Sequence, residues 1–439
     1  MATTINRYPT APVSMWQKCK ELRLQYYHGL TRAKEDGKLL IGGSAGGVSV
    51  IPSGLGDFIW FGGETYGGTM GADPEFSLPC LEATEAAGFG RDLCVYFRNY
   101  LGSMLLDRYY FGGSFPRPDF FIQSHICDTH SKWYQLMMDL QGVPFFGIDM
   151  PPGPWGEDRS ADRVEYFAAQ LMDCIEWMER VSGREFDDEK FITGVFNEYE
   201  SARLWAEICL LNQNTPAPFG QKSLLSLFVP LIVMRGKDEC AQFYRDLLEE
   251  GQERVSRGIA SLATERYRYL HEGIPPWHFL KVFRLMERYG AISLGSVYQF
   301  CLAGYWALDP DGIWRAPRPI KDRGIELRNR EEAVRFYSDL YLSNINYQGS
   351  FFSADIKNQQ TLQLVDQWYA QGVVMHLNRG CKGTGGYLME SRLALSNKGI
   401  PVVTYEGNSG DSRDFDETQV VDNLESFLES QGLDKIDYE

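Results

Sequence analysis

One pattern occurs twice in this chain, and it limits the possible folds more than any other feature. The first copy runs Asp119-Phe120-Phe121-Ile122-Gln123-Ser124, then a short loop, then a helix through Trp133, Leu136, Met137 and Leu140. Gly142 ends that helix, and Val143-Pro144 opens a second apolar run, Phe145-Phe146-Gly147-Ile148. The second copy runs Gly372-Val373-Val374-Met375-His376-Leu377, a glycine-rich loop, a helix, then Gly399-Ile400-Pro401-Val402-Val403-Thr404. Each copy reads strand, loop with one cysteine, helix, Gly-(Val/Ile)-Pro, strand. Cys127 precedes Pro144 by 17 residues, and Cys381 precedes Pro401 by 20. A repeated βαβ unit predicts two similar parallel-sheet domains.

The expected class is therefore α/β, with two domains of flavodoxin or Rossmann type joined by a helical segment. The pattern divides the chain into an N-terminal helical region (1–37), a first α/β domain (38–155), a helical connector (156–272) and a second α/β domain (273–439). The connector follows from helical spacing such as Val164, Phe167, Ala168, Leu171, Met172, Ile175 and Met178. A proline and glycine cluster, Pro151-Pro152-Gly153-Pro154, marks the break before it. With 439 residues and 44% hydrophobic content, the chain has material for two cores.

Charge and motif content remove several functions. A net charge of −16 argues against a nucleic-acid surface, which needs concentrated basic charge. No G-x-x-x-x-G-K-[ST] loop is present, so the chain has no such route to nucleotide hydrolysis. The N-terminus has no apolar core of signal-peptide length, and no window approaches 18 uninterrupted apolar residues, so a cytoplasmic location is expected. Nine scattered cysteines without a C-x-x-C pair argue against a disulfide framework or a zinc ribbon.

Ligands of open parallel sheets bind beyond the carboxyl ends of the strands. Cys127 and Cys381 occupy such loops, and Cys94 sits at the start of an apparent helix, where a thiolate is favoured. Cys19, Cys80, Cys174, Cys209, Cys240 and Cys301 fall in apolar patterns and read as core. Three thiolates without a fourth suit either zinc with an open position or a [4Fe–4S] cluster with one free iron.

The stretches Asp92-Leu93-Cys94-Val95-Tyr96-Phe97-Arg98-Asn99-Tyr100-Leu101-Gly102 and His125-Ile126-Cys127-Asp128-Thr129-His130-Ser131-Lys132-Trp133-Tyr134 carry a family resemblance. So does the C-terminal run from Gly399-Ile400-Pro401 through Glu406 and Asp411-Ser412-Arg413 to Phe427-Leu428-Glu429. Over roughly residues 10–430 the chain resembles the benzoyl-CoA reductase and 2-hydroxyacyl-CoA dehydratase family, and most of all the larger cluster-bearing subunit of the ATP-dependent reductases. The resemblance implies that Cys94, Cys127 and Cys381 hold a [4Fe–4S] cluster with an exchangeable fourth ligand. It implies a homologous second cluster-bearing subunit, an ATPase activator dimer with a bridging [4Fe–4S] cluster, and ferredoxin as the upstream donor. The reaction expected on this reading is dearomatisation of benzoyl-CoA to a cyclohexadiene-carboxyl-CoA, as in anaerobic aromatic degradation, with no nucleotide bound by this chain.

Two alternatives accompany it: a subunit of an (R)-2-hydroxyacyl-CoA dehydratase, and a non-catalytic electron relay. Dehydratases carry an acid in a Pro-Glu-Glu-like element after the first strand, whereas this chain reads Ile51-Pro52-Ser53-Gly54-Leu55-Gly56-Asp57, which favours the reductase. Candidate catalytic residues are His125 and His376 at strand ends. Candidate substrate contacts are Ser44, Ser49, Glu64 and Tyr66 in the glycine-rich loops, and Arg98, Arg108 and Lys132 are candidates for the CoA moiety. The aromatic runs Tyr109-Tyr110-Phe111 and Phe120-Phe121 would suit a planar ring.

Overall fold

The computed structural model describes residues 7–44, 47–151, 161–343, 347 and 349–436. Ala45 and Gly46 of the glycine-rich run, and Pro152, Gly153 and Pro154 of the expected break, lie outside the described residues. Strands β1 (Leu39–Gly43), β2 (Phe58–Gly62), β3 (Phe120–Ser124) and β4 (Phe145–Ile148) form one parallel sheet in the order β2-β1-β3-β4. A second parallel sheet holds β5 (Tyr267–Glu272), β6 (Ala291–Ser293), β9 (Gly372–Asn378) and β10 (Val402–Gly407), in the order β10-β9-β5-β6. A short hairpin of β7 (Ala307–Leu308) and β8 (Trp314–Arg315) lies between β6 and β9 in the chain.

Both sheets have one plan: the first strand lies between the second and the third, and the fourth lies outside the third. The duplication read from β3–β4 and β9–β10 thus extends to the whole four-stranded unit, and the chain has the two flavodoxin-like sheets expected of it.

Alternation sorts the side chains of the first sheet between two cores. Ile41, Trp60, Phe120 and Ile122 meet Phe167, Leu171 and Ile175 of the helix Ala161–Ser182, together with Val334 and Tyr337 of the helix Arg330–Tyr341. On the other face, Leu40, Phe61 and Phe121 meet Tyr27, Tyr100 and Trp133, in a core that continues through Leu270 and Val373 of the second sheet. Each fully buried side chain of this kind contributes about 1.5–3 kcal/mol. Both faces of the first sheet are covered, which is why its strands read as apolar runs.

Two elements differ from the expected layout. Tyr267–Glu272 is a strand of the second sheet, although it lies inside the 156–272 stretch read as helical. It carries Arg268 and His271 between its apolar residues, and their burial is compensated within the fold. Arg268 donates to the carbonyls of Asn212 (2.6 Å) and Trp368 (3.1 Å), and His271 pairs with the Tyr405 hydroxyl at 2.7 Å. The helix Arg330–Tyr341, late in the chain, packs on the first sheet rather than the second.

The helix Val95–Leu105 is held where helix backbones nearly touch. A β-carbon at Gly102 would strike the Cys80 carbonyl of the helix Pro74–Ala86, and one at Gly67 would lie 2.5 Å from the Tyr96 carbonyl. Gly102→Ala is therefore expected to cost about 1–3 kcal/mol by overpacking. Thermal unfolding measures this, and an unchanged melting temperature would contradict the crossing geometry.

Candidate metal centre

The three sequence-selected cysteines, drawn from both halves, lie near enough to feel one another's charge. Cys94 caps the helix Val95–Leu105, Cys127 lies in the loop after β3, and Cys381 in the loop after β9. The Cys381 loop rests on the backbone just before Cys94, since a β-carbon at Gly380 (φ +78°) would stand 2.8 Å from the Leu93 carbonyl. All three cysteines are partly exposed, whereas the other six are buried in the core.

Burial pushes the Cys94 and Cys381 thiols up, and each also feels the charge of Cys127. Opposing this, the backbone N–H groups of Tyr96 and Phe97 favour the charged form of Cys94, and those of Thr384 and Gly385 favour that of Cys381. At Cys127, burial is outweighed by His130, and the thiol is held below its ordinary value. Each sulfur thus has donors that suit a thiolate ligand. Among the described residues, no group of three or more His, Cys, Asp or Glu is tight enough to hold a single metal ion. Three cysteines from separate loops, with backbone N–H groups favouring the charged sulfur at Cys94 and Cys381, have the donor chemistry that a [4Fe–4S] cluster with one open position uses.

Behind Cys127 stands an ion pair. His130 opens the helix His130–Gln141, and its Nε2 pairs with the carboxylate of Glu64 in the helix Gly63–Gly71. Burial disfavours the imidazolium, but Cys127 and Glu64 together hold it well above its ordinary value. The spacing Cys127-x-x-His130 at a helix start is the sequence signal that singles out His130 over His125.

A cavity of about 520 Å³ reaches this centre. Glu64, Tyr96, Trp277 and Tyr298 line it, with the exposed Lys20 and half-exposed Arg23 at its edge. Trp277 Nε1 donates to the Tyr96 hydroxyl at 2.5 Å. Tyr96 and Tyr298 both feel the Cys381 charge, so the inner wall of the cavity is also the wall of the thiol site. A second groove, about 580 Å³, opens beside Cys94 between Leu93, Thr129, Lys132, Gly380 and Lys382.

The other sequence candidates are placed differently. His125 is half-exposed, with Nδ1 3.7 Å from Asp149. His376 is fully buried: its Nδ1 donates to the Ile274 carbonyl at 2.5 Å, its ring stacks on Tyr405, and burial lowers it to about 4. A neutral ring engaged this way is a core residue, not a proton donor to a cleft. Tyr66 is likewise core, bonded to Ser103 at 2.8 Å and stacked on Tyr109. Ser44 and Ser49 are buried, and neither hydroxyl has a described hydrogen-bond partner. Arg98 is wholly buried against Asp411 and Glu85, which removes it from any CoA contact. Arg108 lies over the Phe76 ring, and Lys132 lines the groove beside Cys94.

Geometry of this kind defines a class: subunits in which a duplicated parallel-sheet scaffold gathers cysteines into a shared cleft. Within that class, the chain belongs to the family of the 2-hydroxyglutaryl-CoA dehydratase D-component, whose model matches residues 75–430. It is 29% identical to the (R)-phenyllactyl-CoA dehydratase alpha subunit of Clostridium sporogenes, over 77% of this chain and 76% of that one. It is 27% identical to the (R)-2-hydroxyisocaproyl-CoA dehydratase alpha subunit of Clostridioides difficile, over 80% and 81% respectively. Identity to the (R)-2-hydroxyglutaryl-CoA dehydratase alpha subunit of Acidaminococcus fermentans is also 27%, over 72% of this chain and 61% of that relative. These relatives are dehydratase subunits, which favours the dehydratase alternative over the reductase expected from the sequence. Among the described residues, no helix is long and apolar enough to cross a membrane.

Glu272 ends β5 and accepts the Val297 N–H at 2.9 Å. Burial raises its carboxyl to about 7, although Val297 and the nearby Lys357 oppose the shift. A raised carboxyl contributes stability that is fully present below its unfolded value, about 4.3, and is lost as pH rises through about 7. Relative to Glu272→Gln, the wild type should lose on the order of 2 kcal/mol of unfolding free energy between about pH 5 and about pH 8. Urea unfolding at both pH values measures this, and parallel behaviour of the two proteins would contradict it.

Proposed function

We propose that this chain is the cluster-bearing, substrate-binding subunit of a 2-hydroxyacyl-CoA dehydratase. The carrying observation is that Cys94, Cys127 and Cys381, drawn from both halves, lie near enough to feel one another's charge, and that two residues lining the cavity, Glu64 and Tyr96, are coupled to them in the same way. On this reading the three thiolates hold a [4Fe–4S] cluster, which supplies an iron with an exchangeable ligand and a one-electron couple. The net reaction removes water from a 2-hydroxyacyl-CoA to give the 2-enoyl-CoA, without net oxidation or reduction.

The chain's own residues then have distinct tasks. His130, kept as an imidazolium by Cys127 and Glu64 against its burial, holds a proton on Nε2 at the Glu64 carboxylate of the cavity wall, where the departing hydroxyl needs one. Tyr96, Trp277 and Tyr298 exclude water from that wall. Lys20 and Arg23 suit the phosphates of CoA, and Tyr110, Phe111 and Phe228 suit a large apolar or aromatic acyl group. The alpha-subunit names of the relatives support a partner subunit, and the family resemblance implies that it is homologous, with an ATP-hydrolysing activator and ferredoxin besides; on this reading electrons enter by the groove beside Cys94.

A second reading, ATP-dependent reduction of benzoyl-CoA, is favoured by the 3₁₀ turn Val48–Leu55, which is apolar, mostly buried and without a carboxylate. The two readings separate when the chain, with its partner subunit and activator, is offered (R)-2-hydroxyacyl-CoA and benzoyl-CoA. The proposal expects dehydration with catalytic ATP, and a loss of about 10²–10⁴ in kcat for Glu64→Gln. Reduction of benzoyl-CoA with stoichiometric ATP, and no dehydration, would replace it with the second reading.

A further inference from the structure

The loop after Cys381 is built around a buried lysine. Lys357, on the helix Ala354–Gln367, is 4% exposed and donates to the carbonyls of Thr384 (2.8 Å) and Gly386. The loop is closed tightly, since a β-carbon at Gly385 would strike the Cys381 carbonyl. The Tyr347 hydroxyl, bonded to Thr384 Oγ1, clamps it from another side.

The Thr384 carbonyl and the Gly385 N–H are opposite ends of one peptide group. Lys357 sits at the oxygen end, and the N–H end favours the charged form of the Cys381 sulfur. Ammonium and sulfur therefore polarise this peptide in the same direction, so each strengthens the other's hold on it.

A buried ammonium costs several kcal/mol unless negative charge compensates it. Carbonyl oxygens satisfy its N–H groups but carry no net charge. Burial lowers the Lys357 ammonium to about 8, against the opposing charges of Cys381, Glu272 and Glu390, and the partners its Nζ reaches are the carbonyls of Thr384 and Gly386. Glu272 is itself a reluctant anion in its buried position. Glu390 is exposed to solvent, so the close counter-charge would come from Cys381 once its sulfur is held as a ligated thiolate.

We propose that Lys357 is a positioning residue for that centre: through the Thr384–Gly385 peptide it fixes the Cys381 sulfur and raises the reduction potential. The inference rests on the cluster reading of the three cysteines. In the step concerned, dithionite gives up one electron and the centre takes it, with no bond made or broken, while the ammonium stabilises the added charge.

The test is an anaerobic redox titration of the full chain followed by electron paramagnetic resonance, with iron content and melting temperature measured alongside. Lys357→Met removes both charge and donors, Lys357→Gln keeps a donor without charge, and Lys357→Arg keeps the charge. Met and Gln variants that fold and hold iron should shift the one-electron equilibrium against reduction by tenfold or more, which is 59 mV for one electron. Arg should stay with the wild type. Loss of iron from folded Met and Gln variants, but not from Arg, would equally support the charge. Wild-type potentials in Met and Gln, or an Arg variant that falls with them, would overturn the role of Lys357 while leaving the cluster reading intact. A wild-type chain without iron would overturn the cluster reading and this inference together.

Discussion

Everything at the thiol site depends on the two halves being locked together, and a buried ion pair is the lock. Arg98 and Asp411 are both fully buried and lie 3.1 Å apart. Arg98 belongs to the helix that begins just after Cys94, whereas Asp411 follows β10, beside the strand that delivers Cys381. Arg413 and Glu85 complete the network, and the Ser77 hydroxyl reaches the Gly410 carbonyl across the same seam at 3.2 Å. Removing one partner of such a pair strands a charge in the interior, at about 3–5 kcal/mol. Cys94 and Cys381 would then lose their common frame, although neither touches the ion pair.

The lock also explains why the centre lies where it does. Parallel strands send their carboxyl ends to one edge, and the loops that leave them are free to carry chemistry. With two such edges turned toward each other, backbone N–H groups from a helix start and from a glycine-rich turn point at neighbouring sulfurs. Aromatic rings fill the remaining wall and keep the local dielectric low. Charges placed there, such as the Glu64–His130 pair, act with little screening.

Much of this arrangement was legible because it repeats. The strand–loop–helix–Pro–strand copies gave β3, β4, β9 and β10, and the loops that hold Cys127 and Cys381. Strand β5 was obscured because Arg268 and His271 break its apolar run, and only the fold provides partners for them. His376 and Tyr66 have functional side chains in suggestive places, but the core claims both through hydrogen bonds and stacking. Glu64 was visible as a loop acid and His130 by its spacing from Cys127, whereas their pairing becomes evident only when the fold brings their two helices together. Lys357 left no sequence signal at all, since its meaning comes from a turn that begins 27 residues further on. The motif resemblance, with modest support from the missing acid near Pro52, leans toward the reductase, while the family and its relatives point to dehydratases.

The central claim is that Cys94, Cys127 and Cys381 together hold one iron–sulfur cluster. Iron and acid-labile sulfide in anaerobically purified protein test it most directly, with each cysteine replaced by alanine in turn and Cys174→Ala as a buried control. The account predicts about four irons in the wild type and in the control, and a sharp loss in each of the three variants. No iron in the wild type, or iron indifferent to all three substitutions, would contradict it.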